Sequence, residues 1–326
     1  MSNYAVSIVV PVFNEGGLID KTVAVLNDTA ASLNCEYELI FVNDGSRDET
    51  EDKLNAAEHI YESVRALNFS RNFGKEAAMV AGLEAAEGDC VIFIDGDLQH
   101  PPALIPKLVD RWLAGVDVVN ARKRDRGTES LAYKMSAGLF NASMSQALGT
   151  DFSGASDYKL LDRQVVDAIL QCEERNRFFR GLVTWVGFTT EDVYFDVEER
   201  EEGESKFNTI GMLKYSLNTM LAFTSLPLRM VAYLGFVTSG IGVLLLLQTL
   251  VNYLMGSAAV GFTTVIAVQI LLGGMMLSSM GVIALYVAKI YQEQKSRPLY
   301  IIRKHTKPRG ALREAAQPVP QSKSAA

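Results

Sequence analysis

Cys90-Val91-Ile92-Phe93-Ile94-Asp95-Gly96-Asp97 is the stretch that decides the fold of this 326-residue chain. Its first five residues are apolar, as expected of a strand that is buried on both faces. Two carboxylates separated by one glycine follow, where such a strand leaves the core. Carboxylates this close repel each other unless a cation bridges them, and a divalent ion that also binds diphosphate oxygens is a common solution. An acidic turn without a ligand is the alternative.

Short apolar runs alternate with helical stretches on both sides of this segment. The runs predicted as strands are 6–10, 37–42, 64–68, 90–94 and 116–120, and the stretches predicted as helices are 18–33, 51–63, 75–86 and 103–114. This alternation predicts an α/β domain with a mostly parallel, doubly wound sheet. In such a sheet, ligands bind at the carboxyl ends of the strands.

Polar residues follow each of the first four predicted strands, at the edge where ligands bind. They are Asn14-Glu15, Asn43-Asp44-Gly45-Ser46, Ser70-Arg71-Asn72 and Asp95-Gly96-Asp97. One acidic loop would be weak evidence, whereas four polar loops on one rim predict a ligand site. Neither the Gly-x-Gly-x-x-Gly fingerprint of dinucleotide enzymes nor a Gly-x-x-x-x-Gly-Lys-Ser/Thr phosphate loop occurs after the first strand. A Rossmann dehydrogenase and a P-loop NTPase are therefore disfavoured.

The C-terminal third contains two long stretches without charge. Residues 231–255 and 260–288 have no Asp, Glu, Lys or Arg, and each exceeds the roughly 20 residues that a helix needs to cross a bilayer. Buried core helices are the alternative, but they seldom run so long without a charge. Basic residues lie outside the pair and are absent from the connection at 256–258; they are Arg229, Lys289, Lys295, Arg297, Arg303 and Lys304. The positive-inside rule therefore predicts that both flanks are cytoplasmic.

Charge and cysteine content restrict the compartment and the partners. The net charge is −7, and no basic stripe interleaved with aromatic residues is present, so we expect no nucleic-acid partner. Cys35, Cys90 and Cys172 have no paired spacing and are expected to be reduced packing residues. The amino terminus lacks the pattern of a signal peptide, so the first 200 residues are expected on the cytoplasmic side.

Between the predicted sheet domain and the first span, apolar residues recur at helical spacing. They are Ile210, Leu213, Leu217, Met220, Leu221 and Thr224. This stripe suits an amphipathic helix that lies in the membrane interface, and ordinary core packing is the alternative. From Lys304 to Ala326 the chain lacks periodicity and is rich in Pro, Ala and cations, which predicts a disordered basic tail.

The motifs, taken in order, resemble those of one family. They are Val10-Pro11-Val12-Phe13-Asn14-Glu15, Asn43-Asp44-Gly45-Ser46, Asp95-Gly96-Asp97-Leu98-Gln99, Arg200-Glu201-Glu202-Gly203-Glu204-Ser205-Lys206 and Pro227-Leu228-Arg229 before two spans. They are similar to the polyisoprenyl-phosphate glycosyltransferases of glycosyltransferase family 2, in particular the bacterial bactoprenol (undecaprenyl-phosphate) glucosyltransferases, with dolichol-phosphate mannose synthases as more distant relatives. The resemblance covers about residues 5–300. Asn43 and Gly96 replace an Asp and an Ala that are frequent in those relatives, but the acids around them are kept.

The resemblance implies a GT-A fold, a nucleotide-sugar donor and Mg²⁺ or Mn²⁺ as cofactor. It implies a layout of a cytoplasmic catalytic domain (1–208), interface helices (209–228), two transmembrane helices (229–290) and a cytoplasmic tail (291–326). By position it implies ten donor contacts, namely Pro11, Phe13, Glu15, Val42, Asp44, Asp95, Gly96, Asp97, Arg200 and Lys206. Within this set Asp44 faces the base edge, Asp95 faces the base or ribose, and Asp97 binds the metal and diphosphate, with Asp95 as a second candidate metal ligand. Arg200 and Lys206 would cover the phosphates when their loop closes, and a solvated loop is the alternative.

The resemblance also implies acceptor and catalytic residues. Arg122 and Lys134 are expected to face the acceptor phosphate, with a solvated basic face as the alternative. Asp157 matches the position of a catalytic base. However, the second pKa of a phosphate monoester is about 6, so at neutral pH it is already mostly a dianionic nucleophile. We therefore predict that Asp157 orients the acceptor or the donor sugar or accepts a residual proton, and the role of general base stays open.

Together these expectations describe an inverting transferase that moves glucose from UDP-glucose to undecaprenyl phosphate. It would be a multi-pass protein of the bacterial inner membrane with both termini cytoplasmic, and its product would need a flippase and a downstream transferase to modify a cell-surface glycan. GDP-mannose, UDP-GlcNAc or a UDP-aminoarabinose derivative are alternative donors. A processive synthase is disfavoured because no Gln-x-x-Arg-Trp element is present, and a non-catalytic adaptor that binds nucleotide sugar is the alternative outside enzymes. Small residues in the spans, such as Gly235 and Ser239, would permit a homo-oligomer.

Overall fold

A mixed sheet forms the centre of the first of two units into which the chain divides. The computed structural model describes residues 4–123, 157–172, 174, 178–195, 226–255 and 261–305. Within these ranges the sheet has eight strands in the order β7-β5-β6-β4-β1-β2-β3-β8. The strands are β1 (Ala5–Val12), β2 (Glu36–Asn43), β3 (Val64–Phe69), β4 (Cys90–Phe93), β5 (Val118–Lys123), β6 (Lys159–Asp162), β7 (Thr190–Phe195) and β8 (Ile302–His305).

Helices alternate with these strands and continue into the second unit. In the sheet unit they are α1 (Ile19–Ala31), α2 (Thr50–Ile60), α3 (Lys75–Ala85), α4 (Ile105–Leu113), α5 (Arg163–Leu170) and α6 (Phe179–Trp185). The second unit, called here the helical unit, contains α7 (Leu226–Leu254) and α8 (Phe262–Gln294). The sheet unit also includes the chain from Pro298 onward.

The parallel centre of the sheet confirms the α/β prediction. Strands β3, β2, β1 and β4 are parallel neighbours, and the predicted strands and helices up to residue 123 all occur within a few residues of their expected bounds. Alternate residues of β4 enter two different cores, since Cys90 and Ile92 belong to one apolar cluster and Val91 and Phe93 to the other. A continuous apolar run is what a strand covered on both faces requires.

The antiparallel strands β6 and β8 were not predicted, and β8 corrects the expectation of a disordered tail. Its residues pair with the outer edge of β3. The ring of Tyr300 stacks on Phe69 with centroids 4.9 Å apart, and Arg303 forms an ion pair with Glu51. An unpaired edge strand favours such an added strand, because it supplies partners for backbone groups. The tail prediction, which begins at Lys304, is therefore wrong for residues 304 and 305, whereas residues 306–326 lie outside the described residues.

The helical unit contains two helices that are long and apolar enough to cross a membrane. By length and composition the candidate spans are Leu228–Thr249 and Val268–Gln294, close to the predicted 231–255 and 260–288. Large apolar side chains on both helices are exposed, for example Phe236 and Leu277, as expected of surfaces that contact lipid. The predicted interface helix falls on residues outside the described ranges, apart from 226–228, which begin α7.

Candidate active site

Asp95 and Asp157 are brought together by the antiparallel pairing of β4 with β6. The register places Phe93 opposite Lys159. Continuing the pairing by two residues on each strand leads to Asp95 and Asp157. Because side chains alternate along a strand, both carboxylates lie on the face of Phe93, which is the face covered by α3 and α6. Two acids distant in sequence thus meet at the ligand-binding edge of the sheet.

Lys75, the first residue of α3, lies between these two acids. Its Nζ is 2.5 Å from Asp95 Oδ1 and 2.8 Å from Asp157 Oδ2. Burial alone would lower the pKa of the Lys75 ammonium, but the charges of Asp157 and Asp95 outweigh it and raise the pKa. Lys75 therefore remains a cation throughout the physiological pH range.

Asp44 fixes the loop that leads into α3. Its Oδ1 accepts a hydrogen bond from the Phe73 backbone N–H (2.6 Å), and its Oδ2 accepts one from Gly74 (2.9 Å). Gly74 has φ +101°, a conformation that glycine adopts readily. Burial raises the pKa of Asp44, while hydrogen bonds from Phe73 and Gly74 partly offset this effect. Asp44 thus positions Lys75, and its proposed contact with the donor base stays a prediction.

Arg180 of α6 binds Asp157 with two hydrogen bonds. Its Nε is 2.6 Å from Asp157 Oδ1, and its Nη2 is 3.0 Å from Oδ2. Burial alone would raise the pKa of Asp157, but Arg180 and then Lys75 hold it well below the usual range of a carboxyl group. A carboxylate with so low a proton affinity is a poor general base at neutral pH. The arrangement favours orientation over proton abstraction as the work of Asp157.

The other side of Asp95 faces His100. The distance from His100 Nδ1 to Asp95 Oδ2 is 3.6 Å. The imidazole packs against the rings of Tyr158 and Phe195, with centroid distances of 5.5 and 5.9 Å. Asp95 therefore lies in a row of charged and polar groups that runs from His100 through Lys75 to Asp157.

Gly96 lies where a side chain has no room. A Cβ at this position would lie 2.6 Å from Val12 Cγ1, closer than real Cβ contacts. The Gly96 carbonyl accepts a hydrogen bond from Thr22 Oγ1 (2.9 Å), which ties the segment to α1. The chain then turns through Leu98, whose φ of +55° is uncommon for a side-chain-bearing residue. This local geometry holds the loop that carries Asp97.

Asp97 fits the role of a single protein ligand for Mg²⁺ or Mn²⁺. It is half-buried, and its Oδ1 accepts a hydrogen bond from the Gln99 N–H (3.0 Å). No group of three or more His, Cys, Asp or Glu suited to a metal occurs among the described residues. Mg²⁺ at phosphate sites is commonly held by one or two carboxylates plus substrate oxygens. Asp95 Oδ1 contacts Lys75, and the assignment of Asp95 as a second metal ligand stays a prediction.

The predicted donor contacts divide between the rim and the core. The ring of Phe13 is 43% exposed at the end of β1 and is available for stacking. The Glu15 carbonyl accepts the N–H of Leu18 at the start of α1, and the Glu15 N–H donates to Thr50 Oγ1. Pro11 is half-buried. The side chain of Val42 is fully buried in the core, which corrects its assignment because it has no surface from which to contact a donor.

Asn43, at the end of β2, joins this strand to β3 and to the loop that follows it. Its side chain is fully buried, its Nδ2 donates to Asn68 Oδ1 (2.9 Å), and its Oδ1 accepts the Ser46 N–H (3.0 Å). This position uses a donor and an acceptor together, which an amide provides and an ionised carboxylate does not.

Arg122 lies on β5 and is held by β7. Its Nε is 3.0 Å from Asp192 Oδ2, and Asp192 Oδ1 accepts from Asn120 Nδ2 at 3.2 Å. The parallel register pairs Asn120 with Asp192 and so places the three side chains together. The other predicted cations of the site, Lys134, Arg200 and Lys206, lie outside the described residues. Their contacts with phosphate stay predictions.

Sequence reasoning missed four charged residues of the site: Lys75, Glu76, Lys159 and Arg180. The Glu76 carboxylate accepts the N–H of Phe179 (2.9 Å), and burial raises its pKa to about 7. Lys159 is 3% exposed, and burial lowers the pKa of its ammonium to about 8. Lys159 at the start of β6 was the one sequence signal for this charged network, because a buried lysine is rare without a charged partner.

Glu76 is expected to make the stability of the sheet unit depend on pH. Its folded-state pKa of about 7 lies above the ordinary value of 4.5. Between these two values the folded protein keeps a proton that the unfolded chain has lost, so unfolding becomes easier as pH rises. Glu76→Gln should therefore be more stable than the wild type at pH 8, by about 1–3 kcal/mol, and similar to it at pH 4.

Thermal unfolding at several pH values, followed by tryptophan fluorescence, measures this difference. Both tryptophans of the chain, Trp112 and Trp185, lie in the sheet unit. Asp157, Arg180 and Lys75 also act on Glu76, but they keep their charges throughout this range. Glu49→Gln is the matched control, because the Glu49 side chain is 80% exposed. A stability difference between Glu76→Gln and the wild type that does not change with pH would contradict the prediction.

Comparison with known proteins identifies proteins that this chain resembles. Residues 7–170 match the family described as Glycosyl transferase family 2. The bactoprenol glucosyl transferase of Shigella phage SfII is 37% identical over 304 residues, covering 92% of this chain and 97% of that protein. An uncharacterized glycosyltransferase of Bacillus subtilis is 38% identical over 300 residues, covering 91% and 93%. Among solved structures, glucosyl-3-phosphoglycerate synthase from Mycobacterium tuberculosis with UDP has a TM-score of 0.47 at 22% identity, covering 68% and 80%.

Proposed function

Since the chain belongs to glycosyltransferase family 2, we propose that it transfers a hexose, glucose from UDP-glucose, to undecaprenyl phosphate with inversion at the anomeric carbon. The observation that carries this proposal is the near full-length similarity to proteins named bactoprenol glucosyl transferase. A match over 92% of the chain has to include most of the helical unit as well as the site. A lipid acceptor would account for the presence of both the sheet unit and the helical unit in one chain.

The rim of the sheet supports a nucleotide-sugar donor. Phe13 offers an exposed ring to the base, and Asp97 lies where a diphosphate would follow. A divalent cation bound at Asp97 would neutralise the charge that develops on the departing nucleoside diphosphate. Asp95, held by Lys75, is then left for the nucleoside or ribose.

The reaction needs no general base. An oxygen of the lipid phosphate attacks the anomeric carbon from the side opposite the diphosphate, and the bond between that carbon and the diphosphate oxygen breaks with its electron pair. The attacking phosphate is already mostly a dianion at neutral pH, since its second pKa is about 6. No proton has to move, in agreement with the low proton affinity of Asp157. Arg122 is the described cation that we assign to the acceptor phosphate.

We further propose that both ends of the helical pair lie on the cytoplasmic side of the bacterial inner membrane. The sheet unit contains the chain before the two helices and again from Pro298, including β8. A chain that crosses a membrane twice returns to its starting side, and the cations that flank the pair favour the cytoplasm. A reporter that functions only in the cytoplasm should be active after Ala326 and inactive when inserted at residues 256–260. The reverse pattern would contradict this topology.

A donor screen tests the proposed reaction. Full-length protein in detergent is incubated with undecaprenyl phosphate, Mg²⁺ or Mn²⁺, and UDP-glucose, UDP-GlcNAc, GDP-mannose or a UDP-aminoarabinose derivative. Glucose transfer that stops when EDTA is added is the expected result. Transfer from another donor would change the sugar and keep the class. Failure with all donors, together with calorimetric binding of UDP-glucose, would favour a non-catalytic adaptor.

A further inference from the structure

Lys75 and Arg180 converge on one carboxylate that is more buried than either cation. Asp157 Oδ1 is bound by Arg180, and Asp157 Oδ2 by both Arg180 and Lys75. The Asp157 side chain is 16% exposed, whereas Arg180 is 36% and Lys75 42% exposed. The cations therefore present more surface to an incoming ligand than the carboxylate that holds them.

The same pair of cations lies beside the segment that we assign to the donor diphosphate. Lys75 contacts Asp95 as well as Asp157, and Asp95 begins the segment that carries Asp97. An ammonium has three N–H donors and a guanidinium five, so each group can contact more than one acceptor at a time. A planar guanidinium beside a compact ammonium is suited to binding phosphate oxygens.

We propose that Lys75 and Arg180 bind phosphate oxygens of a substrate, and that Asp157 is a positioning residue that holds both cations in place. This inference rests on the proposed function and deepens it, because it gives Asp157 a role that involves no proton. The oxygens belong to the donor diphosphate or to the lipid phosphate. Both offer the same oxyanion chemistry, and the experiment separates them.

Calorimetry on full-length protein in detergent micelles measures the binding of phosphate directly. UDP is compared with uridine, and farnesyl phosphate with farnesol, so that each pair differs in its phosphate groups. Lys75→Gln and Arg180→Gln should weaken the binding of UDP or of farnesyl phosphate about tenfold or more, and leave uridine and farnesol unchanged. Lys107→Gln, which removes an exposed cation of α4, should change none of the four affinities.

Asp157→Asn tests the positioning role. The amide keeps the shape of the side chain and removes its charge, so Arg180 loses the carboxylate that holds it and Lys75 keeps only Asp95. It should weaken the same phosphate probe about three- to tenfold and raise KM for the corresponding substrate. Because no proton is transferred through Asp157, the pH profile of kcat between pH 6 and 9 should keep its shape. Arg180→Lys, which keeps the charge without the two-pronged contact, should bind with intermediate affinity.

Three results would overturn the proposal. They are affinities within twofold of the wild type for both phosphate probes in Lys75→Gln and Arg180→Gln, a shifted pH profile in Asp157→Asn, and failure of the wild type to bind either phosphate probe. The proposed reaction can fail separately. A wild type without transferase activity, together with phosphate affinity lost in the two cation variants, would refute the reaction and keep this site.

Discussion

Asp97→Asn is expected to lower the rate of sugar transfer by about 10²–10³-fold, the cost of losing one charge-stabilising group at a transition state. The substitution is isosteric, and its amide oxygen can still accept the hydrogen bond from the Gln99 N–H. The loop therefore keeps its conformation. What is lost is the negative charge that would hold Mg²⁺ or Mn²⁺ against the diphosphate, so the main effect should be on kcat and on the metal response.

Titration of Mg²⁺ and Mn²⁺ at saturating donor measures this effect. The wild type should show a saturable rise in rate, and Asp97→Asn should need far more metal or show no rise. Asp110→Asn is the matched control, because Asp110 is an exposed carboxylate on α4. Asp95→Asn should instead raise KM for the donor, because it removes one of the two carboxylates that hold Lys75 and the proposed contact with the nucleoside. An unchanged metal response in Asp97→Asn would contradict the assignment.

The rim of the sheet could be predicted from sequence because its signals are local. Each of the first four strands is an apolar run followed directly by its polar residues, and parallel pairing then brings those residues to one edge. The apolar run before Asp95-Gly96-Asp97 therefore predicted both the strand and the position of the triplet at its carboxyl end. Val42 shows where an assignment made only by position in a resembling family fails. It lies near the end of β2, but its side chain faces the core.

The charged network around Asp157 could not be predicted, because it depends on pairing between distant segments. In the sequence, Lys75 at the start of a helix cannot be distinguished from a surface lysine. Only the antiparallel register of β4 and β6 shows that two acids lie beside it. Arg180 reaches the same point from another helix. Strand β8 is similar, since four residues near a basic tail become a strand only because β3 offers an unpaired edge. The surroundings of Lys75, those of Arg180 and the formation of β8 all depend on contacts between residues that are far apart in the sequence.

A buried ion pair lies at the edge of the sheet opposite the site. Arg65 Nη1 is 3.1 Å from Glu38 Oε2, and the two side chains are 6% and 5% exposed. Glu38 Oε1 also accepts hydrogen bonds from Ser7 Oγ (2.6 Å) and the Glu87 N–H (2.8 Å). These residues lie near the amino ends of the central strands or just before them, so the network ties three strands together away from the ligand-binding rim.

Glu38→Ala should destabilise the sheet unit by about 3–5 kcal/mol, because it leaves the Arg65 charge buried without its carboxylate. Urea unfolding of the full-length protein in micelles, followed by tryptophan fluorescence, measures the change. Replacing both partners, as Glu38→Leu with Arg65→Met, should recover much of the loss, since two apolar side chains bury no unpaired charge. Below the unfolding transition, KM and kcat per folded molecule should match the wild type in both variants. A change in KM with unchanged stability would contradict this separation, because it would mean that the amino ends of the strands contribute to the site rather than only to the fold.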